Sequence, residues 1–262
     1  MGTSDSKPPY GKGSVPAGLN LGEPVAPRHA ATVVVARPCE DASGFEIFML
    51  RRSARSKFMP DAMVFPGGKV DAEDGPAGSD QAYEAAARRE CVEESRIVLG
   101  ERPLRWFDTW LTPSIKSRRY LARFYFSRIE RREGERAEAD GHETHDGRWA
   151  RAREFLDDCA RGAIDLPPPT ICTLMRLRDP EWVKGFAALP DYSDEQLRQP
   201  ILPKWWYVEG PIAGSGEDAH HHVFLPHDPD YASIQGEAGT LPLRARPLPT
   251  RLVRVGTTWR VP

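Results

Sequence analysis

The sequence has little to spend on several common functions. Its 262 residues carry a formal net charge of -2, so no global charge draws it to nucleic acid or to a membrane surface. The four cysteines, Cys39, Cys91, Cys159 and Cys172, form no C-x-x-C pair and no zinc spacing with histidine. They read as separate reduced thiols, which suits the cytoplasm. The longest apolar runs, such as Ala30 to Ala36, are far too short to span a bilayer. The N-terminus has Lys7 and Lys12 but no apolar segment of the kind a secretory signal needs. No internal repeat is evident. What is present, 40% hydrophobic and 28% charged residues, is ordinary for a globular domain.

Residues 1–27 are rich in Gly, Pro and Ser without periodicity and are expected to form a disordered arm. A main domain is expected over 28–190 and an extension packed on it over 191–262, where prolines recur and apolar segments shorten. Strands are predicted at Ala31–Ala36, Phe45–Leu50, Ala62–Phe65, Arg105–Leu111, Tyr120–Ile129 and Gly147–Ala150. Helices are predicted at Gln81–Arg96, with Asp80 as N-cap, and at Arg151–Ala160, Thr170–Arg178 and Trp182–Leu189. Short apolar segments at Trp205–Val208, Val223–Leu225 and Leu252–Val255 suggest a β-rich extension or a loosely ordered tail. The order is a mixed meander, hence an α+β class with a mixed sheet.

The informative segment is Arg89-Glu90-Cys91-Val92-Glu93-Glu94. On a helix, Glu90, Glu93 and Glu94 share one face, where three like charges repel. A hard divalent cation such as Mg²⁺ or Mn²⁺ would relieve that repulsion, because it prefers carboxylate oxygens. A solvated acidic patch is the competing reading. Ala86, Ala87 and Cys91 put the carboxylates beside a small, inward-facing stripe, and Arg88 and Arg89 are candidates to hold them. Upstream, an apolar strand runs into Gly67-Gly68, a tight turn or a point of close backbone approach to a ligand. The basic cluster Arg51, Arg52, Arg55 and Lys57 precedes it and is suited to phosphates or simply to solvent.

These residues resemble the Nudix family, whose box reads G-x5-E-x7-R-E-U-x-E-E-x-G-U, with U aliphatic. Gly68 resembles the opening glycine, Arg89 to Glu94 the R-E-U-x-E-E core, and Ile97 the closing aliphatic position. The resemblance implies an α/β/α sandwich around a mixed sheet, metal ligands at Glu90, Glu93 and Glu94, and support from Arg89. The general base it implies is a box glutamate or one in a later loop: Glu143, Glu138 or Glu94. Four features depart from the box, the first being Cys91 at an aliphatic position. The gap from Gly68 to Arg89 is long, which points to an insertion around Asp71–Asp80. Eight residues before Arg89 stands Gln81, leaving Glu84, Glu73 or Asp74 to replace the middle glutamate. Arg96 occupies the glycine position, so the helix is expected to run on toward Gly100.

A second resemblance is to the coenzyme A diphosphatases of this family, especially the mammalian peroxisomal branch. It rests on Met49-Leu50-Arg51-Arg52-Ser53, on Ser56 to Pro60, and on Phe65-Pro66-Gly67-Gly68, with Lys57 at an arginine position and Asp61 at a glycine. It implies hydrolysis of CoA or acyl-CoA to 3′,5′-ADP and 4′-phosphopantetheine, with Arg51, Arg52, Lys57, Gly67 and Gly68 at the substrate. ADP-ribose or dinucleotide hydrolysis, or nucleotide sensing without catalysis, are the alternatives. The expected partner is a small nucleotide substrate, with neither nucleic acid nor membrane, and a homodimer is left open. His220-His-His222 invites a metal reading, but neighbouring histidines on a strand face opposite ways, so packing or solvent exposure is the expectation. Trp205-Trp206-Tyr207 would either stack on an adenine or pin the extension to the core.

Overall fold

The computed structural model describes residues 20, 22–41, 44–56, 59–178, 193–209, 219–239 and 248–262. Most of the expected arm, Lys57, and the expected helix Trp182–Leu189 therefore lie outside the described residues.

The centre of the molecule is β1 (Arg28–Pro38), a β-branched segment with alternating faces. Ala31, Val33 and Val35 enter one core with Tyr83, Ala86, Ala87 and Cys91 of α1 (Asp80–Ser95). Val34 and Ala36 enter the other core with Phe155 of α2 (Ala152–Ala160) and Ile171 and Leu174 of α3 (Pro168–Leu177). The sheet is thus covered on both faces, as a sandwich requires. A further short helix, α4, spans Asp194–Arg198.

One edge of β1 runs parallel to β6 (Tyr120–Arg128) from Arg28↔Tyr120 to Ala36↔Arg128, and β6 pairs antiparallel with β5 (Arg105–Leu111). The other edge is divided. Residues Ala30 to Thr32 pair with β4 (Gly67–Lys69), and Ala36 to Pro38 pair with β2 (Phe45–Arg52). Between them the Val33 N–H donates to the Pro66 carbonyl at 2.9 Å. Strand β2 also carries β3 (Met63–Val64) and β7 (Thr144–Ala150). The result is a seven-stranded mixed sheet. Its divided edge delivers Gly67-Gly68 beneath α1.

The extension is a second sheet of four strands, β8 (Lys204–Glu209), β9 (Ala219–Phe224), β10 (Arg251–Val255) and β11 (Thr258–Arg260), in the order β11-β10-β9-β8. Trp205, Val223, Leu252 and Trp259 share a hydrophobic cluster with Val34, Phe124 and Phe155. A parallel bridge joins Trp110 to Ile201.

Two local expectations need correction. The N-cap of α1 is Ser79, whose hydroxyl accepts from the Ala82 N–H at 3.2 Å. Asp80 instead stands in the first turn, where it pairs with Arg123 and Arg198, each at 2.7 Å. The helix also does not run on toward Gly100. It ends at Ser95 because Arg96 itself adopts the left-handed conformation, with φ 59°.

One polar link crosses the core. Arg176 of α3 donates to Asp108 of β5 at 2.7 Å, with both side chains almost fully buried. Removing one partner of such a pair strands a buried charge, at a cost of about 3–5 kcal/mol. Asp108→Ala should lower the unfolding free energy by that order, while the double change Asp108→Leu with Arg176→Met should cost much less. Equal losses in the two variants, measured by equilibrium unfolding, would remove this pair from the account of stability.

Candidate active site

The site forms where α1 crosses the divided edge of the sheet. Tight contact is possible because β4 has no side chains at Gly67 and Gly68. A Cβ on Gly68 would stand 2.3 to 2.6 Å from the carboxylate of Glu90. A Cβ on Gly67 would stand 2.4 Å from the Ala31 carbonyl oxygen, and φ there is 157°. Position 67 thus requires glycine, and a side chain in place of Gly68 would displace the Glu90 carboxylate. The Gly67 N–H donates to Glu94 at 2.9 Å.

The three glutamates differ in exposure. The Glu94 side chain is buried, Glu90 is 14% exposed and Glu93 is 56% exposed. Burial pushes the Glu94 carboxyl up to about 8, against the stabilising Gly67 N–H, and the charge on Glu90 adds to the rise. Burial also raises Glu90, partly opposed by Arg89.

Arg89 is the organising cation. Its Nη1 donates to Glu90 at 3.0 Å and to Glu93 at 2.9 Å. Its Nε and Nη2 meet the two oxygens of Asp74 at 3.0 and 2.8 Å, a bidentate pair. Nη2 also donates to the Lys69 carbonyl at 3.0 Å. Of the three candidates for the missing acid, Asp74 is the one that pairs with Arg89; it stands six positions after Gly68, with residues 75–88 between it and Arg89. The Arg89 bond holds the Asp74 carboxyl below its usual range. Arg88, expected to help, donates to the Gly100 and Arg102 carbonyls at 2.5 and 2.8 Å and has no part in the site.

Glu143 reaches the same cleft from the loop before β7, close enough for its charge to raise both Glu90 and Glu94. That loop is pinned at two points. The Ser53 N–H donates to the Glu143 carbonyl at 2.8 Å. Asp140 accepts from the N–H groups of His142, Glu143 and Thr144 at 3.1, 3.2 and 2.8 Å. Burial works against the charge on Asp140, yet these N–H bonds hold its carboxyl below the usual range. Glu138, also weighed as a base, lies at the far end of α1. There it pairs with Arg96 at 2.7 Å, and its N–H caps the Ser95 carbonyl at 3.1 Å.

The basic cluster separates. Arg52 lines the cleft beside Glu94 and donates to Ser56. Arg51 turns toward Asp146 at 3.7 Å, outside the cleft. Asp61 stands where the resembled motif has glycine and takes the left-handed φ of 61° that a glycine would supply.

Arg52, Arg89, Glu90, Glu93, Glu94 and Glu143 line one cavity of about 820 Å³ that continues past Trp110 and Lys116 to the four-stranded sheet. Trp205, offered above as a base-stacking residue, already has Lys116 Nζ 3.7 Å from its ring centre and His221 stacked at 4.5 Å. His222 is buried and stacked on Phe224 at 5.5 Å, and the His220 side chain lies outside the described residues. Nothing in residue spacing marked Lys116, Asp140 or Arg254 as cavity residues, because long-range pairing brings them there.

The raised carboxyls give a signed expectation. A folded-state carboxyl above its unfolded value stabilises the fold fully at low pH, and that contribution is lost as pH climbs through the folded value. In chelator the protein should lose stability as pH rises from about 5 to about 8, where the buried Glu94 carboxyl ionises. Glu94→Gln should flatten that slope. A pH-independent denaturation midpoint in the unaltered chain would contradict the assignment.

Comparison with known proteins agrees with this geometry. Residues 27–95 match the model of the NUDT19 Nudix domain. The chain is 27% identical over 253 residues to putative nudix hydrolase 7 of Caenorhabditis elegans, covering 83% of this chain and 78% of that protein. A crystal structure of a NUDIX hydrolase from Alicyclobacillus acidocaldarius superposes with a TM-score of 0.52 at 22% identity, over 58% of this chain and 91% of the other. Residues 27–95 are therefore similar to a Nudix domain, and the fold is that of a Nudix hydrolase structure.

Proposed function

We propose that the chain hydrolyses the phosphoanhydride of a nucleoside-diphosphate-linked substrate, with CoA or acyl-CoA the preferred class. One observation carries the reading. Glu90, Glu94 and Glu143 border one cleft, against two glycines that leave no room for a side chain. Glu93 is tied to the same frame through Arg89.

The donor set fits Mg²⁺ or Mn²⁺. It is all oxygen, and the burial that raises Glu90 and Glu94 penalises their charges in the absence of a cation. Among the described residues no three such side chains already converge on one point, so the donors border the cleft and do not form a finished cage. Glu90, Glu93 and Glu94 would hold the metal, which when bound supplies charge neutralisation on the diphosphate and acidifies an attacking water.

The remaining roles belong to the chain. Arg89, gripped by Asp74, fixes the rotamers of Glu90 and Glu93. Arg52 meets the diphosphate from the cleft wall, and the Gly67-Gly68 backbone allows it to approach. Glu143, on its pinned loop, takes the proton of the attacking water. The upstream stretch from Met49 to Gly68 supports the CoA class, and Asp61 keeps the turn geometry of that stretch without its glycine. Lys57, assigned to the substrate by resemblance, lies outside the described residues.

Glu93→Gln and Glu94→Gln should each abolish metal-dependent turnover, and Glu143→Gln should lower kcat by about 10²- to 10⁴-fold. Asp74→Asn, which loosens Arg89 without touching the cleft, should cost about 10- to 100-fold. The assay is product analysis by mass after incubation of CoA, acyl-CoA, ADP-ribose and NADH with Mg²⁺ or Mn²⁺. Full turnover in both Glu93→Gln and Glu94→Gln would overturn the metal assignment. Cleavage of ADP-ribose or NADH with CoA untouched would move the substrate class.

A further inference from the structure

The cavity has a second charged end that hydrolysis of a phosphoanhydride does not require. Lys116 follows β5 in the chain and faces the ring of Trp205 at the beginning of β8. Its ammonium is buried, and no carboxylate pairs with it among the described residues; its one described side-chain partner is the Trp205 ring at 3.7 Å. A ring face offsets only part of what removing an ammonium from water costs.

The neighbouring charge makes the deficit worse. Arg254, on β10, lines the same cavity and is near enough for its charge to act on Lys116. Burial first, and then Arg254, pull the Lys116 ammonium down to about 8. Arg254 pairs loosely with Asp165, at 3.4 Å, and donates to the Thr257 carbonyl at 2.7 Å. Burial raises the Asp165 carboxyl, which weakens it as a counter-ion. Two cations therefore share the wall of a cavity, and the one carboxylate paired there, Asp165, belongs to Arg254. The elements that bring them there are far apart in sequence, and a packing role for Lys116 would be met better by an apolar side chain of the same length.

We infer that Lys116 and Arg254 form an anion subsite, separate from the carboxylate cleft, which takes a phosphomonoester carried by the substrate away from the scissile diphosphate. The inference deepens the reading given above, since it names the second phosphate that such a substrate would carry. It also assigns the four-stranded sheet a share in specificity through Trp205 and Arg254. Trp205 is a positioning residue here: its ring holds the ammonium over the cavity.

The test compares two nucleotides that differ by one phosphate, 3′,5′-ADP and 5′-AMP, in equilibrium binding by titration calorimetry on the full chain. Charge-assisted bonds to a phosphate should make 3′,5′-ADP bind about 10- to 100-fold more tightly. Lys116→Met should bring the ratio close to one while leaving 5′-AMP binding unchanged, and Lys116→Arg should keep most of it. Circular dichroism and the unfolding midpoint of each variant show whether it is folded. Should Lys116→Met fail to fold, Arg254→Gln serves in its place, with the same expected fall in ratio. Equal binding of the two nucleotides by the unaltered chain, no binding of either, or an unchanged ratio in the folded variant overturns the subsite. Binding does not depend on turnover, so the subsite can stand where CoA hydrolysis fails. CoA hydrolysis without any preference over 3′-dephospho-CoA would retain the function and discard the subsite.

Discussion

Everything in the site depends on one close approach, that of a side-chain-free piece of strand to a row of carboxylates. Gly67 and Gly68 let α1 lie so near the sheet that a single methyl group on either would collide with the Ala31 carbonyl or the Glu90 carboxylate. That proximity buries Glu94 and most of Glu90, and burial raises their proton affinity. The electrostatic frustration is thus a product of packing, and Arg89 relieves only part of it. The division of the β1 edge between β2 and β4 is what allows β4 to pass under the helix at all.

Much of this was legible in the linear chain, for identifiable reasons. Helical periodicity put Glu90, Glu93 and Glu94 on one face, a β-branched run marked β1 and a short apolar run marked β2, because these signals are local. The missing acid was harder. Asp74 was one candidate among three, since residues 75–88 separate it from the arginine that it grips, and a bidentate contact leaves no trace in spacing. The helix end was misjudged for another reason. Propensity favours glycine in the left-handed region, but Arg96 takes it here, its side chain paired with Glu138, whose N–H caps the neighbouring Ser95 carbonyl. Asp61 repeats the pattern at a second glycine position. In both places the backbone shape is kept while the residue that usually signals it is lost.

The extension was the least readable part. Its strands are short and separated by proline-bearing segments, and its partners are distant: Trp205 against Lys116, Trp259 and Leu252 in the same cluster as Phe155. Contacts of this kind arise from chain topology, so neither composition nor periodicity could disclose them. The cavity consequently has two ends of opposite character. One was written into a helix, and the other exists only once two sheets have come together.

The stretch between Asp74 and Ser79 has a bearing on how such a site can change. Asp74 is fixed by Arg89 on one side, and Ser79 by its cap on Ala82 on the other. The residues in between carry neither the clamp nor the cap. Lengthening a surface connection costs little, about 0.6 kcal/mol for each doubling. The spacing between the acid and the arginine is therefore nearly a free variable, while their mutual geometry is not. Descendants of one catalytic helix could drift apart in every fixed-interval signature and still present the same arrangement of charges to a diphosphate.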